Sequence, residues 1–95
     1  MKKNTTIVKD INKLFPASNE KYPVCFTRDN MVMVSGESTA KEMLMGEEFD
    51  IMVVDYYNEF GGGYPTVHKR LREYLEQNGL SYEWENPGGI HVFRD

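Results

Sequence analysis

Residues 49–57 read FDIMVVDYY, the most apolar run of the chain, and the expected architecture is built outward from this run. A run of about 4–8 apolar residues with β-branched members favours a buried β-strand. The glycine-rich segment 58–63, NEFGGG, is expected to be a loop, and Pro65 suits the first turn of a following helix. The buried stripe of that helix would be Val67, Leu71, Tyr74 and Leu75. Asn78-Gly79 is expected to end the helix, with glycine in the left-handed conformation.

Upstream of this strand, apolar residues at helical spacing predict a first helix at residues 6–15. Two strands, at 22–28 and 31–35, are expected to form a hairpin. Asp29-Asn30 lies between them and tolerates the positive φ angles of a two-residue turn. This turn sets Phe26 opposite Met33. Because residues 31–34 are apolar on both faces, the second strand is expected to lie inside the sheet.

Two further elements complete the expected secondary structure. A short helix is predicted to begin at Ser38 and to end at Gly46, with Ala40, Met43 and Leu44 on one face. The chain is predicted to close with a hairpin around the turn at residues 86–89, NPGG. The preferred register pairs Trp84 with Ile90, Tyr82 with Val92 and Glu83 with His91, since a slip of one residue would turn every side chain to the other face.

The order α-ββ-α-β-α-ββ predicts an α+β protein with a single mixed β-sheet of about five strands and three helices. Right-handed crossovers on both sides of the strand at 49–57 would make its pairings parallel. With 95 residues, the chain is expected to be a single domain, residues 1–95.

Composition and charge narrow the classes of function. The net charge is −4, and residues 36–64 carry one Lys against seven Asp and Glu, which makes nucleic acid a less favoured partner than protein. The one cysteine, Cys25, is expected to be a buried thiol in a cytoplasmic protein. No apolar run approaches the ~20 residues of a membrane span, so no membrane partner is expected. A core this thin leaves little room for a cleft around a large cofactor, and no cofactor, metal ligand or catalytic residue is assigned.

A glycine loop leading into a basic helix start forms the first candidate site. Backbone amides at a helix N-terminus, together with cationic side chains, can bind phosphate or carboxylate groups. The predicted anion-binding residues are Gly61, Gly62, Gly63, His68, Lys69, Arg70 and Arg72. The segment is neither a Walker loop nor a dinucleotide fingerprint, so the alternative is a turn followed by an ordinary charged helix face.

The order of elements over residues 51–93 is similar to that of small ferredoxin-like endoribonucleases. Examples are the virulence-associated D proteins and the small nuclease-like subunit of CRISPR adaptation complexes. The similarity lies in an acid at a strand end, Asp55, followed by a loop, a basic helix ending in Asn-Gly-Leu, a strand and a turn. Two features depart from that pattern: about 48 residues precede the strand, and Pro87-Gly88-Gly89 replaces a Gly-Ser-Val-type segment. No family is therefore assigned.

Aromatic residues around the glycine loop form the second candidate site. The predicted partner-binding residues are Tyr56, Tyr57, Phe60 and Tyr64. Aromatic side chains are enriched among the residues that anchor protein partners. The favoured function is therefore a small non-enzymatic binding or accessory protein that acts on a protein partner. An inhibitor or adaptor encoded by a phage or mobile element fits the size and acidity.

Two alternatives stand beside this hypothesis. One is a metal-dependent phosphodiesterase, ribonuclease-like or nucleotide-binding protein, with Asp55 and Glu59 for the metal and the basic helix start for phosphate. The other is a homo-oligomer, a structural subunit that self-associates through an edge strand of either hairpin.

Overall fold

A computed structural model describes residues 2–57 and 65–94. In this part of the chain there are two helices and eight strands. The helices are α1 (Asn4–Leu14) and α2 (Lys69–Gln77). The strands are β1 (Cys25–Arg28), β2 (Met31–Ser35), β3 (Thr39–Leu44), β4 (Glu47–Met52), β5 (Val54–Asp55), β6 (Thr66–Val67), β7 (Leu80–Asn86) and β8 (Gly89–Arg94). The protein is therefore α+β, as predicted, but the described residues form two helices and not three.

The main sheet has the order β1-β2-β8-β7 and is antiparallel throughout. Both predicted hairpins are confirmed in their register, with Phe26 opposite Met33 and Trp84 opposite Ile90. Asp29 and Asn30 have φ angles of 52° and 64°, as a two-residue hairpin turn requires. β2 lies between β1 and β8, which confirms its predicted position inside the sheet.

The predicted mixed sheet around residues 49–57 is wrong. These residues divide into β4 and β5, and neither strand belongs to the main sheet. β4 pairs antiparallel with β3, and β5 pairs antiparallel with β6. The predicted helix from Ser38 to Gly46 is also wrong. Met45 and Gly46 have φ angles of 52° and 81°, so they form a hairpin turn that reverses the chain from β3 into β4.

Helix α2 starts later than predicted. Thr66 and Val67 pair with β5, so the residues after Pro65 are extended and the helix begins only at Lys69. Its predicted end is confirmed, since Gly79 has a φ angle of 65° directly after the last turn.

The hydrophobic core lies between the two helices and one face of the main sheet. Its fully buried side chains include Ile7, Ile11 and Phe15 from the α1 segment and Leu71 and Leu75 from α2. The facing sheet residues are Cys25, Val32, Val34, Ile90 and Val92. Because side chains alternate along a strand, the opposite face carries Phe26, Met33, His91 and Phe93.

Asn12 of α1 closes the outer edge of β1. Its Nδ2 donates to the carbonyl oxygen of Cys25 at 2.8 Å, and its Oδ1 accepts from the amide of Cys25 at 2.8 Å. The side chain thus makes the two hydrogen bonds that a neighbouring strand would make. Cys25 is buried, as predicted, and this burial raises the pKa of its thiol to about 12.

We expect Asn12→Ala to lower the free energy of unfolding by about 2 kcal/mol, because it leaves a buried amide and carbonyl without their partners. Urea denaturation followed by circular dichroism measures this loss. Asn19→Ala is the matched control, since the Asn19 side chain accepts one hydrogen bond in an exposed turn. An equal loss in both variants would contradict the edge-closing role of Asn12.

Candidate functional site

The predicted anion-binding side chains lie around the start of α2, where they form ion pairs and hydrogen bonds with other residues of the chain. Arg70 Nη2 lies 2.7 Å from Glu42 Oε1 of β3. Lys69 Nζ lies 3.8 Å from Glu73 Oε1 one turn along the helix. Gly61, Gly62 and Gly63 lie outside the described residues. Arg72 Nε donates to the carbonyl oxygen of Val67 at 3.2 Å.

His68 caps the N-terminus of α2 with its own side chain. Its Nδ1 accepts from the amide of Arg70 at 3.1 Å, so this nitrogen carries no proton. The ring packs edge-on against Phe15, with 5.1 Å between centroids, and its Nε2 lies 3.6 Å from Glu42 Oε1. Partial burial lowers the pKa of His68, while the neighbouring Glu42 carboxylate acts in the opposite direction. The helix start is thus capped and held by a neutral histidine.

The lowered pKa of His68 predicts a pH-dependent stability. The unfolded chain binds the proton more readily than the folded chain, so the free energy of unfolding should fall as pH drops through the ordinary histidine value of 6.5. Comparing the wild type with His68→Asn, which retains a capping side chain, from about pH 7 to about pH 5 isolates this contribution. Parallel stability curves for the two proteins would contradict the neutral state of His68.

Of the four predicted partner-binding aromatics, the structure describes Tyr56 and Tyr57. The ring of Tyr56 packs edge-on against Trp84 and against Tyr57, with centroids 5.3 and 5.5 Å away. Tyr57 is 64% exposed, whereas Tyr56 is 37% exposed. Tyr56 therefore joins the exposed Tyr57 to the main sheet. Phe60 and Tyr64 lie outside the described residues.

The hairpin of β3 and β4, residues 39–52 and hereafter the arm, carries an exposed surface that was not predicted from the sequence. Five large apolar side chains of the arm are exposed: Met43, Leu44, Met45, Phe49 and Met52. Met45, in the turn, is fully exposed. The predicted helix would have buried Met43 and Leu44 on one face, but the hairpin presents both to solvent.

The base of the arm is fixed to the body of the protein, and its tip extends beyond these contacts. Ala40 is fully buried and forms a β-bridge with Ala17. The hydroxyl of Ser18 donates to Asp50 Oδ1 at 2.6 Å, and the Arg70–Glu42 ion pair holds the opposite face. The tip of the arm is residues 43–46, and Glu48 beside it lies 4.0 Å from Lys41 of the arm itself.

The arm is acidic as well as apolar. It contains Lys41 and four carboxylates, Glu42, Glu47, Glu48 and Asp50. Arg70 neutralises Glu42, but the exposed contact between Lys41 and Glu48 is worth little in water. The arm therefore combines exposed apolar side chains with uncompensated negative charge.

Of the two residues that the metal-binding alternative uses, Asp55 ends β5 and Glu59 lies outside the described residues. Residues 2–57 and 65–94 contain no group of three or more His, Cys, Asp or Glu side chains placed to hold a metal ion. In the same part of the chain, no helix has the length and apolar character that crossing a membrane requires. No known protein family, no curated protein and no solved structure matches the chain.

Proposed function

We propose that the chain is a non-enzymatic binding protein that docks on a protein partner through the arm. The observation that carries this proposal is the set of five exposed apolar side chains on one projecting hairpin. Large exposed apolar side chains next to charged residues are typical of interaction sites on soluble proteins. Three of the five side chains are methionines, which are flexible and adapt to the shape of a partner pocket.

The fixed base of the arm favours binding. A docking element that is already held in place loses less conformational entropy on association. Ala40, Ser18 and Arg70 hold the base, so the conformational entropy lost on binding is mainly that of the side chains of the tip. Fully burying one large apolar side chain contributes roughly 1.5–3 kcal/mol, so a few tip residues can supply much of a specific affinity.

The charge of the arm indicates the kind of partner surface. Glu47, Glu48 and Asp50 surround the apolar tip with negative charge. A complementary partner therefore has an apolar groove with a basic rim, and long-range attraction between the two surfaces would speed their encounter. Tyr56 and Tyr57 follow β4 and β5 in the chain, and we propose Tyr57 as an additional contact outside the arm.

A cross-linking experiment tests this function. A photoreactive phenylalanine analogue replaces Met45 in one protein, and Tyr22 or Phe93 in two controls that are also exposed and apolar. After irradiation in the cells that make the protein, we expect a covalent adduct to one other protein from position 45 alone. The adduct should survive nuclease treatment. Equal adducts from all three positions, or an adduct to nucleic acid, would refute docking through the arm.

A further inference from the structure

The two outer edges of the arm differ in how their backbone groups are bonded. On the β3 edge, the amide of Lys41 donates to the carbonyl of Pro16 at 2.8 Å, and the carbonyl of Thr39 accepts from the amide of Ser18 at 2.9 Å. In an antiparallel pair, residues that bond the partner strand alternate with residues whose backbone points outward. The odd-numbered residues of β3 therefore point outward, and their edge is covered by residues 16–18.

The register of the hairpin fixes the outer edge of β4. Thr39, Lys41 and Met43 stand opposite Met52, Asp50 and Glu48, respectively. Residues opposite one another share the same inward or outward direction of their backbone groups. The amides and carbonyls of Glu48, Asp50 and Met52 thus point away from β3, and they bond no other backbone group of the described chain. A strand edge of this kind is a template for an added strand.

The side chains along this edge disfavour strand pairing with a second copy of the chain. Glu48 and Asp50 project from the same face of the strand, two residues apart. If two β4 strands paired antiparallel about Asp50, the two Asp50 carboxylates would stand directly opposite each other, which is destabilising. The same carboxylates favour a strand that places basic side chains opposite them.

We infer that the outer edge of β4 binds an extended, basic segment of the partner as an added antiparallel strand. In the direction of its own chain, this segment would carry an apolar residue opposite Met52, then basic residues opposite Asp50 and Glu48. The residues between these positions would be apolar, because they face Ile51 and Phe49 on the other side of the strand. Since docking through the arm is itself proposed, this edge assignment depends on it.

A synthetic strand tests the assignment without the natural partner. The probe is the blocked peptide Thr-Val-Val-Lys-Val-Lys-Thr, added to the full chain labelled with nitrogen-15. We expect saturable shifts at the amides of Glu48, Asp50 and Met52, and about tenfold weaker binding of a control peptide with Glu in place of both Lys. Shifts confined to other residues, or equal binding of the two peptides, would overturn the assignment.

A proline substitution separates the edge from the tip. Glu48→Pro removes an amide that points outward, so the β3–β4 ladder remains while the added strand loses a donor. Glu48→Gln is the matched control, which keeps the amide and loses only the charge. We expect Glu48→Pro to abolish peptide binding and Glu48→Gln to weaken it a few-fold, with unchanged circular dichroism.

The two proposals fail in different ways. If substitutions at the arm tip release the natural partner but Glu48→Pro leaves both peptide and partner binding intact, the added strand is refuted and docking through the arm stands. If the peptide binds at β4 but the partner cross-links elsewhere, docking through the arm is refuted.

Discussion

Replacing the tip of the arm by polar residues should abolish partner binding without unfolding the protein. In the variant Met43→Ser, Leu44→Ser, Met45→Asn, we expect the affinity for the cross-linked partner to fall by about 100-fold or more. A few central apolar side chains carry most of the energy of a protein interface, and three are removed here. Asn is chosen at position 45 because it tolerates the positive φ angle of the turn. Isothermal titration calorimetry with the purified partner measures the change.

The control for this result is a variant with exposed apolar residues removed elsewhere. Tyr22→Ser and Phe93→Ser lie outside the arm and are also solvent-exposed. Their partner affinity should stay within about twofold of the wild type, because they lie outside the proposed interface. Thermal melting should be similar for all variants, since the three tip side chains contribute little to the core. Full partner affinity in the tip variant would contradict docking through the arm.

The largest effect on stability is expected for Phe15→Ala. Phe15 is completely buried, and truncation of a buried phenylalanine costs about 3–5 kcal/mol. Its ring also packs against His68, and the guanidinium of Arg70 lies 5.1 Å from its centroid. The substitution should therefore weaken both the core and the start of α2. For a domain whose total stability is on the order of 5–15 kcal/mol, this loss is a large fraction.

Urea denaturation measures the effect of Phe15→Ala. Phe93→Ala is the matched control, because Phe93 lies on the sheet face opposite the helices and is 36% exposed. We expect the control to cost less than about 1 kcal/mol. A loss below that value in Phe15→Ala would contradict the burial of Phe15 and its contacts with His68 and Arg70.

The two hairpins of the main sheet could be predicted because the residues that specify each hairpin are close together in the sequence. Asp29-Asn30 and the segment 86–89 are turn signals, and the alternation of Tyr82 and Trp84 with glutamates fixes the register. The order in which the hairpins join was not predictable in this way. The pairing of β2 with β8 connects residues far apart in sequence, and no local pattern specifies it.

The first strand of the arm was mistaken for a helix because its residues favour helices in isolation. Ala40, Lys41, Glu42, Met43 and Leu44 are all good helix formers. In the protein, pairing with β4 and with residues 16–18 overrides that preference. Met45 gives little sequence signal for a turn, since a bulky side chain seldom adopts a positive φ angle.

The position of the basic residues at the start of α2 could be predicted, but the residues that they contact could not. Arg70 and His68 lie at the helix start, as expected, yet Glu42 reaches them from β3. Because the sequence predicts Glu42 in the middle of a helix, its ion pair with Arg70 could not be anticipated. The exposed surface of the arm was missed because Met43 and Leu44 were expected on the buried face of a helix, and Phe49 and Met52 in a buried strand.

Hydrogen–deuterium exchange of the chain, alone and in complex with the cross-linked partner, tests docking through the arm most directly. We predict that the complex slows exchange in residues 43–52, with the strongest protection at the outward-pointing amides of Glu48, Asp50 and Met52. Residues 26–33 and 89–93, on the main sheet, should exchange at unchanged rates. Protection of the main sheet with an unprotected arm would contradict the account.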